Sequence, residues 1–281
     1  VSSRLPGDSA VAASDVEDGG GLSLAWSEGY ASRYHPGWLR AHCYSDRAPA
    51  AIVRRTWDSA FTIPEFDGSR ILHDDTTLLS WLEALRDDGL TLLRQCPLDD
   101  GAVEWFADRI GFLRQTNFGR VFDVRTKADP DSTAYTALEL PLHTDLPTRE
   151  LQPGLQFLLC RVNDAVGGDS VMADGFRIAE VMRNEAPDHF ETLTTLPMEF
   201  RNRARGSDYR MRVPAIRLND TGAAVEIRLG NFLRGPQNVR AEDMPRLYAA
   251  YRHFMAMTRE ERFRIRFRLN AGEVDAVREK V

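Results

Sequence analysis

An α+β protein built on a β-sandwich or barrel core is predicted, on three observations. Helical patterns come first in the main part of the chain, at about residues 74–88 and 99–112. Many short strand-like runs follow, within 155–162, 198–202, 213–218 and 225–231. Late in the chain Phe263, Ile265, Phe267 and Leu269 alternate with Arg264, Arg266 and Arg268, the two-residue period of a strand with one buried face. Helices followed by runs of strands segregate the two classes, unlike the alternation of a parallel βαβ sheet.

Taken in order, the first twenty residues, rich in Ser, Ala and Asp and running into Gly19, Gly20 and Gly21, read as a frayed lead-in. Leu22, Leu24 and Trp26 alternate weakly before a turn at Ser27, Glu28 and Gly29, as in a small hairpin. Residues 1–60 are therefore expected to form a small β-rich module, and 61–281 the main domain. Asp74, Asp75 and Thr76 predict the cap of a helix with Leu78, Leu79, Leu82 and Leu85 on one side. Gly89 ends it, and the apolar run from Leu90 to Leu93 reads as a buried strand. A second helix is expected from Asp99 to Phe112, with Val103, Phe106 and Ile110 inward. Two further helices are expected between the later strands, from Gly175 to Asn184 and from Ala241 to Thr258. No internal repeat is evident.

With 281 residues, 43% hydrophobic and 28% charged, the chain has the composition of an ordinary globular protein with one large domain, or a small and a large one. A formal charge of -6 argues against nucleic acid or an anionic membrane as partner. No apolar run approaches the length of a membrane span, and nothing at the start reads as a signal peptide. Three scattered cysteines, Cys43, Cys96 and Cys160, make neither a disulfide framework nor a Cys-only zinc site. That usage fits a reducing, cytoplasmic setting, and Cys96 and Cys160 are expected to be buried thiols.

The chemistry is expected at His143, Thr144 and Asp145. On extended backbone, residues i and i+2 project to one face, so an imidazole nitrogen and a carboxylate oxygen can grip one metal ion. The pair is two-thirds of the 2-His-1-carboxylate facial triad, which holds Fe(II) and leaves positions open for a co-substrate and dioxygen. Alone, the triplet also fits a capped turn or a surface His–Asp pair.

The surrounding runs reverse that balance. They include Tyr34 to His42, Ser59 to Phe66, Thr116 to Gly119, Phe122 to Arg125 and Ala134 to Thr136. They continue with Leu142 to Gln156, Gly167 to Ser170, Asp174 to Phe176 and Ile227 to Asn231. Carrying these in order from Trp26 to Gly272, the chain resembles the γ-butyrobetaine dioxygenase family, bacterial type, which are Fe(II)- and 2-oxoglutarate-dependent oxygenases. The resemblance implies a distorted double-stranded β-helix (jelly-roll) core with flanking helices, behind a small N-terminal domain. It implies Fe(II) and 2-oxoglutarate, with ascorbate, and a homodimer. The reaction it implies is hydroxylation of γ-butyrobetaine to L-carnitine, with 2-oxoglutarate decarboxylated to succinate.

By the same resemblance, His143 and Asp145 are the first two iron ligands. Phe118, Phe122 and Tyr135 fall on an aromatic cage for the trimethylammonium group, which has no hydrogen-bond donor and is held by cation–π attraction worth up to about 2 kcal/mol or more when desolvated. Phe118 and Phe122 also suit a plain core role. Leu146 replaces an aromatic residue found there in animal members. Asn231 falls on an amide near the substrate carboxylate, and also suits a turn at a strand end. His42 falls on the single histidine of a structural zinc site whose three cysteines lie upstream in the family; no cysteine precedes Cys43 here, so an unmetallated His42 is expected.

The resemblance departs at the far end. The family carries a distal histidine ligand, and an arginine for 2-oxoglutarate, beyond the segment matching Phe267 to Val274. Here Asp275 to Val281 stands in that place, and no histidine follows His253. The expectation is a partial chain of a longer enzyme, lacking the zinc cysteines and the last barrel strands, whose loss would expose a sheet edge. Two other readings stay open: hydroxylation of another trimethylammonium substrate, such as trimethyllysine or a trimethylammonium phosphonate, and non-catalytic betaine binding.

Overall fold

Gly19 and Gly20 take left-handed backbone, at φ 98° and 84°, and fold the chain back between β1 (Val11–Val16) and β2 (Leu22–Trp26). In this computed structural model residues 9–43, 54–125, 139–164, 166–204 and 206–278 are described. β3 (Ala31–Tyr34) completes an antiparallel three-stranded sheet in the order β1-β2-β3. The expectation of a frayed lead-in over the first twenty residues is thus corrected at Val11–Val16. All six of its side chains are exposed, so no hydrophobic alternation marked it as a strand. The short helix α1 (Pro36–Ala41) follows, with proline in its first turn and the His35 ring accepting from the Gly37 N–H at 3.1 Å.

The chain divides into two compact units, Val1–Val53 and Arg54–Val281. Residues 54–60, placed with the small module from sequence, belong with the larger unit. There the Trp57 backbone N–H donates to Asp174 at 3.0 Å and its indole donates to the Asp88 carbonyl at 3.0 Å.

The larger unit begins with β4 (Glu65–Asp67), α2 (Gly68–Ile71), α3 (Asp75–Asp88), β5 (Leu90–Arg94) and α4 (Ala102–Asp108). α3 starts where its cap predicts, because the Asp74 carboxylate accepts from the Thr76 and Thr77 amides. It ends at Gly89, which has φ 78°. Trp81 and Leu85 are its buried residues, whereas Leu79 is 58% exposed because Trp81 takes the inward position. α4 stops at Asp108, short of Phe112, which is 90% exposed.

After β6 (Leu155–Cys160) and β7 (Ser170–Ala173) come α5 (Gly175–Glu185), α6 (Pro187–Thr195), β8 (Pro197–Ala204) and β9 (Ser207–Pro214). β10 (Ile216–Leu218), β11 (Ala224–Ile227), α7 (Met244–Met257), β12 (Arg264–Phe267) and β13 (Glu273–Arg278) complete the unit. The run 213–218 breaks between β9 and β10 rather than forming one strand, and the run 225–231 leaves ladder pairing after Ile227.

A four-stranded sheet has the order β4-β5-β13-β6, with β4 parallel to β5 and the other pairs antiparallel. β13 continues the segment after Val274, for which the sequence reading assigned no element. Residues 273–278 are an inner strand, hydrogen-bonded on both sides, with Val274 and Ala276 fully buried. Against this sheet Ile71, Trp81, Leu85 and Phe106 form one core. A second core joins α5, α6 and α7 to β8–β11 through Ile178, Leu193, Phe200, Ile216 and Phe254. Three two-stranded ladders, β8-β9, β10-β11 and β12-β7, complete the pairing. No helix among the described residues is long and apolar enough to cross a membrane.

Candidate metal and substrate site

Residues 141–150 form turns and bends rather than a regular strand, yet they bring His143 and Asp145 together. The His143 Nε2 lies 3.3 Å from Asp145 Oδ1. The His143 Nδ1 is 2.9 Å from the Pro141 carbonyl, a contact that places its proton on Nδ1 and presents Nε2 toward the carboxylate. Phe232 meets the His143 ring edge-on at 5.2 Å between centroids. An imidazole beside a carboxylate is a donor pair that suits Fe(II). Together they supply two protein donors, and no cluster of three or more His, Cys, Asp or Glu side chains that could hold a metal occurs among the described residues.

Thr144, between the two, anchors the motif. Its N–H donates to the Leu229 carbonyl at 2.8 Å, and its hydroxyl accepts from the Leu229 N–H at 3.0 Å. The Gln152 side-chain amide, 2% exposed, donates to the Thr144 hydroxyl at 3.0 Å and to the Asp145 carbonyl at 3.2 Å. Beyond β11, Arg228 reaches under the following turn, donating to the carbonyls of Pro147, Arg149 and Glu150. Sequence reasoning missed Thr144, Gln152 and the Glu226–Arg228 pair as supports of the motif. The available signal was charge at 226 and 228 beside the apolar Val225, Ile227 and Leu229, since residues 226–230 prove buried on both faces.

Phe118 and Phe122 come together, with ring centroids 5.3 Å apart, and Phe122 is 39% exposed. Tyr135 lies outside the described residues. The segment holding Phe118 is tethered to the turn after Asp145: Arg149 Nη2 donates to Asn117 Oδ1 at 2.9 Å, and Arg114 reaches the Leu151 carbonyl. Asn231 opens an exposed 3₁₀ turn, Asn231–Leu233, directly before Phe232. His42 is exposed at the end of α1, with Nδ1 2.8 Å from the Trp38 carbonyl and its ring stacked on Trp38 at 4.4 Å. His189 and His253 face each other across α6 and α7 with Nδ1 atoms 2.7 Å apart.

His143 also lines a cavity of about 140 Å³ together with Arg54, Trp57, Asp174, Phe176 and Arg278. Asp174 caps α5, accepting from the Phe176 N–H at 2.9 Å, and burial raises its carboxyl above the usual range. Burial pushes the Arg54 guanidinium down to about 10 and lowers Arg278 as well. Arg54 lies 3.2 Å above the Phe176 ring, and its Nε and Nη2 are buried without a hydrogen-bond partner among the described residues. The thiols take no part: Cys96 is buried and pushed up to about 12, and burial raises half-buried Cys160 too.

Residues 53–275 match the taurine catabolism dioxygenase TauD, TfdA family. The chain is 52% identical to a gamma-butyrobetaine dioxygenase of Pseudomonas sp. (strain AK-1) over 275 residues, 96% of this chain and 72% of the relative. It is 29% identical to the Homo sapiens gamma-butyrobetaine dioxygenase, over 89% of this chain and 68% of that one. A mitochondrial trimethyllysine dioxygenase of Bos taurus is 28% identical over 63% of this chain and 44% of its own. Among solved structures, a putative alpha-ketoglutarate-dependent taurine dioxygenase from Burkholderia xenovorans shares the fold, with TM-score 0.58 and 18% identity over 81% of this chain and 82% of that one. By sequence and by fold, the chain belongs to the taurine catabolism dioxygenase TauD, TfdA family, among the gamma-butyrobetaine dioxygenases.

Proposed function

We propose that this protein is an Fe(II)- and 2-oxoglutarate-dependent dioxygenase that hydroxylates γ-butyrobetaine to L-carnitine. The observation that carries the reading is the disposition of His143 and Asp145 within a chain 52% identical to a gamma-butyrobetaine dioxygenase. His143 Nε2 and the Asp145 carboxylate would hold the iron. Ferrous iron, when bound, supplies the dioxygen activation that couples 2-oxoglutarate decarboxylation to C–H hydroxylation.

The protein's own groups divide the remaining work. The Pro141 carbonyl fixes the His143 tautomer, so the nitrogen toward Asp145 is the basic one. Arg54 and Arg278 give the cavity beside His143 a cationic wall, and the Arg54 Nε and Nη2, unpartnered among the described residues, fit a carboxylate of 2-oxoglutarate. Phe118 and Phe122, with Tyr135, would surround the quaternary ammonium group, and Asn231 would bind the substrate carboxylate. A distorted double-stranded β-helix is our reading of the antiparallel ladders around this site. Ascorbate as reductant, a zinc ion in the N-terminal domain, homodimeric assembly and a cytoplasmic location belong to the same proposal, on the strength of the resemblance.

The test is 2-oxoglutarate decarboxylation by the full-length gene product with Fe(II) and ascorbate, with and without γ-butyrobetaine. Succinate formed together with hydroxylated butyrobetaine is expected, and Asp145→Ala should abolish it while leaving the fold intact. Butyrobetaine binding without turnover would make the protein a betaine binder instead. Preferential turnover of trimethyllysine would move the substrate assignment.

A further inference from the structure

Leu146, immediately after Asp145, has φ 48°, in the left-handed region that a branched side chain rarely enters. The residue also precedes Pro147, which narrows its conformational choice further. Such a conformation persists only where its surroundings over-determine it. The Arg149 N–H donates to the Leu146 carbonyl at 3.0 Å, closing a tight turn, but that single bond is local. The wider restraint is Arg228, 3% exposed. Its Nη1 donates to the carbonyls of Pro147 at 2.7 Å and Arg149 at 2.5 Å, and its Nη2 to that of Glu150 at 2.9 Å. Three carbonyls of one turn therefore converge on one planar guanidinium.

The charge is balanced from below. Glu226, 2% exposed, accepts from Arg228 Nε at 2.5 Å and also pairs with Arg217 at 2.7 Å. A buried ion pair is by itself poor evidence of stability, because apolar residues of similar volume often serve as well. What apolar residues cannot do is hold three carbonyls in a fixed fan. The turn so held carries Asp145 on one side. On the other, the Arg149 side chain, which also lies 3.6 Å over the Tyr209 ring, reaches Asn117 next to Phe118.

We propose that Arg228, oriented by Glu226, is a positioning residue that holds Leu146 in its left-handed conformation and so presents His143 and Asp145 as a preformed metal pair. The turn's tether to Asn117 passes the same constraint to the aromatic segment. The metal part of this inference rests on the reading of His143 and Asp145 as iron ligands; the conformational part does not.

The test uses the full chain and three variants: Arg228→Lys, which keeps a charge against Glu226 but loses the fork, Leu146→Gly, which needs no restraint at positive φ, and their combination. Amide exchange of the metal-free protein is read first. Arg228→Lys should speed exchange roughly tenfold at Thr144 and Arg149 while leaving the amides of β5 and β13 unchanged. Leu146→Gly in the Arg228→Lys background should reverse about fivefold of that. Co(II) affinity, read by its absorption spectrum, should fall roughly 10–100-fold in Arg228→Lys and recover in part in the combination. Exchange accelerated uniformly through the unit, or no recovery with Leu146→Gly, would overturn the proposal. If the exchange pattern holds and even the unsubstituted protein binds no metal, the iron reading fails and the conformational one stands.

Discussion

Thr144 and Leu229 hold each other reciprocally, the Thr144 N–H donating to the Leu229 carbonyl at 2.8 Å and the Thr144 hydroxyl accepting from the Leu229 N–H at 3.0 Å. The residue between the two metal-ligand candidates is thereby fastened to the chain leaving β11. Thr144→Val keeps the shape and the backbone bond but leaves the Leu229 N–H, and one Gln152 N–H, without their acceptor. The expected cost is about 1–3 kcal/mol of stability in denaturant unfolding. Thr144→Ser should stay near the unsubstituted protein. A valine variant as stable as its parent would show that water replaces the hydroxyl.

Asp275 gives a pH dependence. On the inner strand β13 opposite Leu158, it is 2% exposed, and Oδ2 has no hydrogen-bond partner among the described residues. Burial pushes its carboxyl from the ordinary 3.8 to about 7, against a smaller opposing effect of a hydrogen bond from the Leu158 backbone. Between these values the folded protein holds a proton that the unfolded chain has released, so stability falls as pH rises through the window, by about 4 kcal/mol at most. Asp275→Asn should therefore melt higher than its parent at pH 8, with the gap narrowing toward pH 4. A gap independent of pH would mean that packing, rather than ionisation, separates the two proteins.

The proposed aromatic cage predicts a selective loss. Phe118→Ala or Tyr135→Ala should raise the KM for γ-butyrobetaine up to about thirtyfold, the equivalent of 2 kcal/mol, and the 2-oxoglutarate KM far less. A neutral isostere with carbon in place of the quaternary nitrogen should bind weakly to the unsubstituted protein and lose little in either variant. Equal effects on both KM values would remove these rings from the ammonium site.

Much of the fold was legible because local chemistry decides it. Asp74 and Gly89 mark the ends of α3 by capping and by a left-handed glycine, and β5 is a largely apolar strand buried on both faces from Leu90 to Leu93. Val11–Val16 was not legible, since a strand with every side chain exposed owes its pairing to its neighbour rather than to its own pattern. Nor was β13: Asp275 and Arg278 make 273–278 look like a polar tail, and only the flanking β5 and β6 turn it into an inner strand. At the site, the spacing of His143 and Asp145 alone fits a surface pair as well, and it is the family resemblance of the surrounding runs that singles them out. Arg228 was not legible, because its partners are carbonyls some eighty positions earlier, and no sequence pattern encodes which backbone a buried arginine will meet.

Arg54 sets binding against stability. Its buried Nε and Nη2 have no partner among the described residues, and another cation, Arg278, lies close enough to help lower its pKa. Burying a guanidinium without a partner costs free energy, which a bound carboxylate would offset. Arg54→Met keeps a long apolar stem on the Phe176 ring and removes the charge. In the ligand-free protein this change should leave the melting temperature equal or raise it. In the presence of 2-oxoglutarate it should abolish the ligand-induced rise in melting temperature, with the Kd weakened about thirtyfold or more, as expected from about 2 kcal/mol or more for a desolvated charge pair. Trp57 lines the same cavity, so quenching of its fluorescence by 2-oxoglutarate reads the binding directly. An unchanged Kd in Arg54→Met would place the co-substrate carboxylate elsewhere. A variant that melts lower without ligand would show that Arg54 already contributes to the fold, and that its unpartnered atoms do not mark a binding site.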